Sequence, residues 1–404
     1  MTPERWILHC DCNSFYASVE LLAHPELLNT PVTVCGDPEG RHGIVLAKNE
    51  AAKKYHIQTA ETIWSARTKC PNLVLLPPHR EKYSHYCRVI NDIYEKYSDR
   101  VEAFSIDESW LDITGSMHLF GGDGKAIADQ LRDRLRQELG LTISVGVSFN
   151  KIFAKLGSDY KKPDATTVIS RDNWKDIVWP LPVGDLLGVG GSTRKLLHQY
   201  GVETIGQLAE FPRQNLETLL GKHGAQLHDY ANGLENSPVR PQHETEPVKS
   251  VGNGTTFPRN LTRWEEVRSG LAVLSDSVAG RLRRYGMYCG GVALTIRNAQ
   301  FRQFSRQMRL DSPTHLQKDI YRAALALAQQ SWHAPDPIRA LTITALYLTE
   351  NADSFEQLDL LGGETPKRSE KQEKLEQAMD AIRGKYGKGA ITFGNVGKFN
   401  GWDD

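Results

Sequence analysis

Short apolar segments that favour β-strands alternate with helical patterns through the first part of this 404-residue chain. Residues 6–10 form the first such segment, and a helical pattern follows at residues 15–28, for which Ser14 is the expected N-cap. Crossover-length helices between short strands predict an α/β domain. A chain of this length exceeds what one hydrophobic core supports, so we expect further domains.

The rest of the chain divides into segments of different character. Residues 181–233 are helical around a glycine-rich turn, and residues 234–249 are polar and proline-bearing, which is typical of a linker. Strands and helices alternate again over residues 250–350, which predicts a second compact α/β unit. The tail, residues 351–404, combines a short apolar patch with a charged helical pattern.

The net charge is formally zero, but it is unevenly distributed. Residues 249–350 contain 14 Lys and Arg against 7 Asp and Glu, whereas residues 1–248 contain 27 against 32. A basic segment after an acidic one is typical of a DNA-binding unit joined to a metal-binding unit, although random unevenness gives the same counts.

Composition also indicates the compartment. The sequence has no run of 18 apolar residues, and its first residues lack the pattern of a secretory signal, so we expect no membrane association. Its six cysteines include no Cys-x-x-Cys pair. Few cysteines in a long chain predict reduced thiols and a cytoplasmic location.

Acidic side chains mark two strand ends in the first domain. Asp11 follows the apolar segment 6–10, and Asp107 with Glu108 separates two β-prone runs. Adjacent like charges in an apolar hairpin are costly unless a cation neutralises them. Hard dications prefer carboxylate oxygens, and two such ions can activate a hydroxyl and stabilise a leaving pyrophosphate. A simple polar turn at residues 107–108 has the same spacing, so the residues alone leave both interpretations open.

Three motifs favour the metal-binding interpretation. CDCNSFYASVE at 10–20, SIDESWLD at 105–112 and SVGVSFNKIFAKLGSD at 144–159 resemble, in order and separation, the motifs of the Y family of translesion DNA polymerases. The resemblance covers essentially the whole chain. It implies a multidomain α/β fold shaped as a right hand, with a ferredoxin-like palm and small fingers at 1–180. A helical helix-hairpin-helix thumb and an α/β little finger at 250–350 follow.

The resemblance implies a template-directed DNA polymerase of low fidelity that adds dNTPs to a primer 3′-hydroxyl. The metal ligands are then Asp11, Asp107 and Glu108, with the backbone carbonyl of Cys12. The implied cofactors are two Mg²⁺ ions, for which Mn²⁺ can substitute. The implied partners are primer-template DNA, dNTP and the sliding (beta) clamp, and the chain is expected to be a monomer.

Two other functions remain open at this point. One is an accessory protein of the same family that binds DNA and the clamp without catalysis, although such proteins lose carboxylates that this chain keeps. The other is a nucleotide cyclase, because residues 121–124 (GGDG) are similar to a cyclase signature. A cyclase needs neither a thumb nor a clamp peptide, and a turn that begins a helix explains the glycines.

A nucleotide pocket is implied at the helix after Asp11. Tyr16 matches the steric gate, a ring that excludes a 2′-hydroxyl, and its neighbour Phe15 is expected either at the nucleotide or in the core. Lys162 matches a lysine that contacts the triphosphate. A solvated lysine at a helix C-terminus is the alternative, because the helix dipole favours it there.

The fingers segment departs from the family pattern. Ala47, Glu50 and Lys53 stand where the family usually has Thr, Tyr and Arg. Lys53 can bind phosphate as a point charge without the bidentate geometry of arginine. Glu50 cannot be a simple phosphate ligand, so these departures put the phosphate contacts of this segment in doubt.

The remaining implied contacts are with DNA and the clamp. Gly188 and Gly190 match hairpin glycines that let backbone amides approach a phosphate. Basic residues of the little finger can follow a DNA backbone, although a charged edge strand explains them as well. They are Arg297, Arg302 and Arg306, interleaved with aromatic residues. The clamp peptide is expected at Gln357, Leu358, Leu360 and Leu361, where the final leucine replaces the usual phenylalanine.

Overall fold

The computed structural model describes residues 4–38, 40, 43–241, 244, 247–350 and 370–392. Its internal contacts divide the chain into two compact units, one formed by Met1–Pro38 with Gly43–Thr245 and the other chiefly by Glu246–Asp404. Among the residues so described, no helix is long and apolar enough to cross a bilayer.

Eight strands and eleven α-helices have assigned bounds in the described part of the first unit. The strands are β1 (Ile7–Cys12), β2 (Val32–Cys35), β3 (Val45–Lys48), β4 (Val74–Leu76), β5 (Val101–Ala103), β6 (Glu108–Asp112), β7 (Ile143–Ser148) and β8 (Thr166–Ile169). The helices are α1 (Phe15–Leu21), α2 (Glu50–Lys53), α3 (Ile63–Lys69), α4 (Arg80–Tyr94), α5 (Gly124–Leu139), α6 (Lys151–Tyr160), α7 (Trp174–Val178), α8 (Gly191–Gln199), α9 (Ile205–Glu210), α10 (Arg213–Leu220) and α11 (Lys222–Ala231).

A five-stranded sheet in the order β5-β6-β1-β7-β8 forms the centre of the first unit. β1 pairs antiparallel with both β6 and β7, and all six of its residues are buried. Because side chains alternate along a strand, Leu8 and Cys10 pack into a core with Ile90 of α4 and Leu131 of α5. The other face of the sheet packs against α6. Each large aliphatic side chain buried here contributes about 1.5–3 kcal/mol.

The helix predicted at residues 15–28 is shorter in the structure, although Ser14 is its N-cap residue as predicted. α1 ends at Leu21, and a separate 3₁₀ turn spans Pro25–Leu27, because proline has no N–H to continue the helical hydrogen bonds. Ser14 adopts a left-handed conformation (φ 52°, ψ 41°) and makes no side-chain cap. Its hydroxyl donates instead to Oε1 of Glu50 at 3.1 Å.

Two smaller modules complete the first unit. The strands β3-β2-β4 form a three-stranded sheet, covered by a small core that includes Val45, Ile57 and Leu73. Helices α8–α11 pack around a core that includes Leu197 and Leu216 and that they share with Phe153 of α6. These modules lie where the fingers and the thumb were predicted.

The second unit is a four-stranded antiparallel sheet with helices on one face. Its elements are β9 (Val251–Leu261), α12 (Trp264–Arg284), β10 (Tyr288–Asn298), β11 (Gln303–Thr314), α13 (Gln317–Ser331), β12 (Ile338–Thr349) and α14 (Glu370–Tyr386). The strand order is β11-β10-β12-β9, and α12 and α13 close the core with residues such as Leu271 and Ile320. α14 is attached by ion pairs. Nε of Arg283 lies 2.6 Å from Oδ2 of Asp380, and Arg283 also bonds Glu376.

Candidate active site

The predicted carboxylates meet at the end of the β1–β6 pair. Asp11 of β1 lies directly opposite Glu108 of β6, and residues in such register project their side chains on the same face of the sheet. Asp107 occupies the turn before β6, and its backbone carbonyl accepts a hydrogen bond from the N–H of Cys12 at 3.0 Å. Its carboxylate accepts a hydrogen bond from Ser105 Oγ at 2.6 Å. Backbone pairing thus brings all four predicted metal-site residues to one location.

Lysines carried by α6 and the segment after it neutralise two of these acids. Nζ of Lys162 lies 2.7 Å from Oδ2 of Asp11 and 2.7 Å from Oδ1 of Asp159. Nζ of Lys155 lies 2.8 Å from Oε2 of Glu108. Since α6 packs on this face of the sheet, each lysine reaches an acid side chain that would otherwise be only partly solvated.

His9 is a site neighbour that the sequence reasoning missed. It is fully buried, and its Nδ1 lies 2.8 Å from Ser158 Oγ while its Nε2 lies 3.4 Å from Oε2 of Glu108. The signal was available, because His9 stands two residues before Asp11 and therefore on the same face of β1.

The two opposed acids have opposite pKa shifts. Burial raises the pKa of Asp11 to about 7, with a further contribution from Glu108, and Lys162 offsets this only in part. Burial also disfavours the charge of Glu108, but its contacts with His9 and Lys155 outweigh that effect and hold its pKa well below the usual range. Glu108 is therefore ionised at neutral pH. The buried carboxyl of Asp11 ionises less readily, and a close cation favours its ionised form.

These donors fit hard divalent cations in chemistry. Three carboxylates and a main-chain carbonyl are the oxygen ligands that Mg²⁺ prefers, and the acids already attract two ammonium groups. Within the described ranges, no three His, Cys, Asp or Glu side chains are already arranged around a common point. Metal binding in this chain would therefore require Lys155 to leave Glu108 and Lys162 to leave Asp11.

The aromatic pair at the start of α1 separates into two environments. Phe15 is 3% exposed and belongs to the core of the first unit. Tyr16 is half-buried, and its ring stacks on Tyr83 with the ring centroids 4.1 Å apart and an interplanar angle of 10°. Tyr16 therefore presents a ring at the helix start that follows Asp11, whereas Phe15 packs inward.

Two of the three fingers residues that depart from the family pattern, Glu50 and Lys53, pair with each other. Nζ of Lys53 lies 2.6 Å from Oε1 of Glu50, which also accepts from Ser14. Ala47 lies on β3, opposite Val34 of β2. Lys53 is thus engaged within its own helix α2 rather than extended towards the acids of β1 and β6.

The two thumb glycines differ in backbone conformation and in surroundings. Gly188 has φ 95°, a conformation that favours glycine, and its carbonyl contacts Nε2 of His223 at 3.1 Å. Gly190 is the N-cap of α8, and a Cβ there would meet no atom within 4 Å. The surface beside Gly190 is therefore open enough for a backbone phosphate to approach the amides of the first turn.

The predicted arginines of the second unit do not share one face. Arg297 pairs in register with Gln303, on the face opposite the helices. Arg306 pairs with Leu294, whose side chain is buried under the helices, so Arg306 projects from that side of the edge strand. Arg302 lies in the exposed turn between β10 and β11. Gln357, Leu358, Leu360 and Leu361 lie outside the described residues.

Family models match three parts of the chain in the same order as these elements. The impB/mucB/samB family matches residues 10–159, its C-terminal domain matches residues 248–360, and a DNA polymerase-iota thumb domain matches residues 184–235. The first match contains the three acids of the site, Asp11, Asp107 and Glu108.

Relatives match nearly the whole chain. A DNA polymerase IV of Acetivibrio thermocellus is 45% identical over 391 residues, which are 97% of each chain. A DNA polymerase IV of Bacillus velezensis is 36% identical and covers 97% of this chain and 93% of its own. Among solved structures, a Y-family DNA polymerase chimera matches with a TM-score of 0.74 at 20% identity, over 86% of this chain and 100% of its own. That likeness shows the fold.

The chain therefore belongs to the Y family of DNA polymerases, and it is a DNA-directed DNA polymerase. The relatives described above, which match nearly the whole chain, are DNA polymerase IV proteins. The resemblance carried by the three sequence motifs is confirmed, and so is the predicted fold class.

Proposed function

We propose that this polymerase extends primers by a two-metal mechanism, with low fidelity and past template lesions. Asp11, Asp107 and Glu108, with the carbonyl of Cys12, would hold two Mg²⁺ ions. The observation that carries the proposal is the cross-strand opposition of Asp11 and Glu108, with Asp107 one residue away. When bound, such ions activate the primer hydroxyl and neutralise the leaving pyrophosphate.

The chain's own residues would position the reactants around that site. Phosphoryl transfer depends mainly on placement and charge, so groups that hold the triphosphate matter as much as the acids. Lys162 pairs with Asp11 in the structure. If Asp11 binds a metal ion instead, Lys162 can donate a hydrogen bond to a triphosphate oxygen. Tyr16 presents its ring where a sugar would lie against α1, and an added 2′-hydroxyl would collide with it.

DNA binding is proposed for one surface in each unit. In the first unit, binding is proposed at the turn of Gly188 and Gly190, where the open backbone around Gly190 suits a duplex phosphate without reading sequence. In the second unit, Arg297 lies on the sheet face that the helices leave open, and Arg302 lies at the exposed turn. Arg306 suits a phosphate only at the edge of the sheet.

Primer extension on paired templates tests the translesion proposal. With Mg²⁺ and all four dNTPs, the protein should extend a primer on an undamaged template and past an abasic site, and a chelator should stop both reactions. The low-fidelity part predicts frequent misincorporation on the undamaged template. Efficient extension that always halts at the lesion would rule out the translesion role and leave the polymerase activity standing.

The tail is proposed to bind the sliding clamp through residues 357–361. Each leucine buried in a clamp pocket would contribute about 1.5–3 kcal/mol, less the cost of ordering the peptide. Alanine at Gln357, Leu358 and Leu360 should therefore abolish clamp-stimulated synthesis and leave clamp-independent synthesis unchanged. Leu361→Phe should tighten binding if the pocket is aromatic-lined.

The clamp experiment compares primer extension with and without the loaded cognate clamp. Asp359→Ala is the matched control, since it alters the same peptide at a position without an assigned contact. Equal stimulation of the wild type and the triple variant would show that the peptide is only a linker.

We further infer that the protein is a cytoplasmic monomer. The six free cysteines support a cytoplasmic location.

A further inference from the structure

Glu20 is a buried acid that the proposed chemistry does not use. It lies on α1 four residues after Tyr16, so both side chains project from the same side of the helix. It is 2% exposed, which is costly for a carboxylate unless several donors satisfy it. Its partners all come from the start of α4, the helix that also carries Tyr83.

The donors around Glu20 are well defined. The hydroxyl of Tyr83 donates to Oε1 at 2.5 Å, and the backbone N–H of His79 donates to the same oxygen at 3.0 Å. Oε2 lies 2.9 Å from Nδ1 of His79 and 3.4 Å from Nζ of Lys82. Burial disfavours the charge, but the hydrogen bonds from Tyr83 and His79 outweigh it and lower the pKa of Glu20. The group is therefore a charged acceptor at neutral pH.

Tyr83 is held at both ends by one face of α1. Its ring stacks on Tyr16, and its hydroxyl is fixed by Glu20 one helical turn away. The side chain is 1% exposed, and a charge-assisted hydrogen bond is roughly twice as strong as a neutral one. The ring of Tyr83 therefore has little freedom to shift, and it forms a rigid backing for the ring of Tyr16.

A ring that excludes a 2′-hydroxyl distinguishes dNTP from rNTP only if the ribose cannot push the ring aside. If the ring yields, the ribonucleotide fits and selectivity is lost without any change in attraction. We propose that Glu20 is a specificity-determining positioning residue, which fixes Tyr83 and thereby keeps Tyr16 from yielding to a ribose. The inference rests on the proposed role of Tyr16 as the steric gate and names what holds the gate in place.

The inference differs from a purely structural role in a measurable way. A variant that merely loosens the fold lowers kcat/KM for dNTP and rNTP together. A variant that loosens the gate raises kcat/KM for rNTP while kcat/KM for dNTP stays nearly constant. The ratio of the two values is therefore the readout, with thermal unfolding measured alongside.

Tyr83→Phe is the primary test, because it keeps the stacked ring and removes only the hydroxyl that Glu20 binds. Loss of one hydrogen bond to a charged group should lower the dNTP/rNTP ratio about fivefold to tenfold, through a gain in rNTP use. Glu20→Gln keeps an acceptor and should give a smaller fall. Tyr94→Phe, which removes a buried hydroxyl farther along α4, is the matched control and should keep the wild-type ratio.

The Tyr16→Ala variant distinguishes two hypotheses: that Tyr16 is the steric gate, and that Glu20 and Tyr83 hold Tyr16 in place. If Tyr16→Ala lowers the ratio and Tyr83→Phe does not, Glu20 has no part in selectivity and the gate assignment stands. If Tyr16→Ala leaves the ratio unchanged, the gate assignment itself fails, and this inference fails with it. In the double variant Tyr16→Ala with Tyr83→Phe, no further fall is expected, and an additive fall would overturn action through Tyr16. Should Glu20→Gln not fold, Tyr83→Phe decides alone.

Discussion

Primer extension should fall at least about a thousandfold when Asp107 is replaced by alanine, because a lost metal ligand removes several kcal/mol of transition-state stabilisation. The fold should survive, since Asp107 is only partly buried and lies in a turn, where its carboxylate accepts a hydrogen bond from Ser105. Removing one of three neighbouring anions also relieves repulsion in the metal-free protein. Thermal unfolding and DNA affinity should therefore remain close to wild type.

Asp133→Ala supplies the matched control for that experiment. Asp133 is an exposed acid on α5 that pairs with Arg136 at 3.2 Å, so its loss alters surface charge without touching the acid site. Single-turnover primer extension at saturating dNTP and Mg²⁺ is the measurement. Near wild-type extension by the Asp107 variant would sink the two-metal assignment.

Tyr16→Ala should lower the ratio of kcat/KM for dNTP over rNTP by about a hundredfold, which corresponds to about 2.7 kcal/mol of exclusion. Truncation leaves a gap beside Tyr83, and the added 2′-hydroxyl no longer meets a ring. Because the gate acts by exclusion, the gain should come mainly from faster use of rNTP. Tyr16→Phe keeps the ring and should hold the wild-type ratio. An unchanged ratio in the alanine variant would mean that Tyr16 is a packing residue.

Sequence patterns located the acids but not their neighbours. The apolar, β-prone runs beside them were enough to mark Asp11, Asp107 and Glu108 as strand-end carboxylates. Which strands pair, and in what register, depends on contacts between segments far apart in the chain, and no local pattern specifies them. The opposition of Asp11 to Glu108 and the arrival of Lys155 from α6 are therefore results of the fold alone.

The sequence did not predict which face of a sheet a side chain occupies, or which distant side chains contact each other. Arg297 and Arg306 lie in one basic stretch, yet the hairpin register puts them on opposite faces of the sheet. Tyr16 and Tyr83 stack although 67 positions separate them in sequence, and nothing near either residue signals the contact. Ser14 occupies the N-cap position that local chemistry predicted, but its hydroxyl donates to Glu50 and does not cap the helix.

The attachment of α14 has a consequence for the second unit. β12 ends at Thr349 and α14 begins at Glu370, and both belong to the second unit. Arg283 holds α14 through Asp380, and Arg383 of α14 reaches Asp276 of α12 at 2.8 Å. Because both arginines of these pairs are largely buried, the pairs hold α14 to α12 more firmly than exposed ion pairs would.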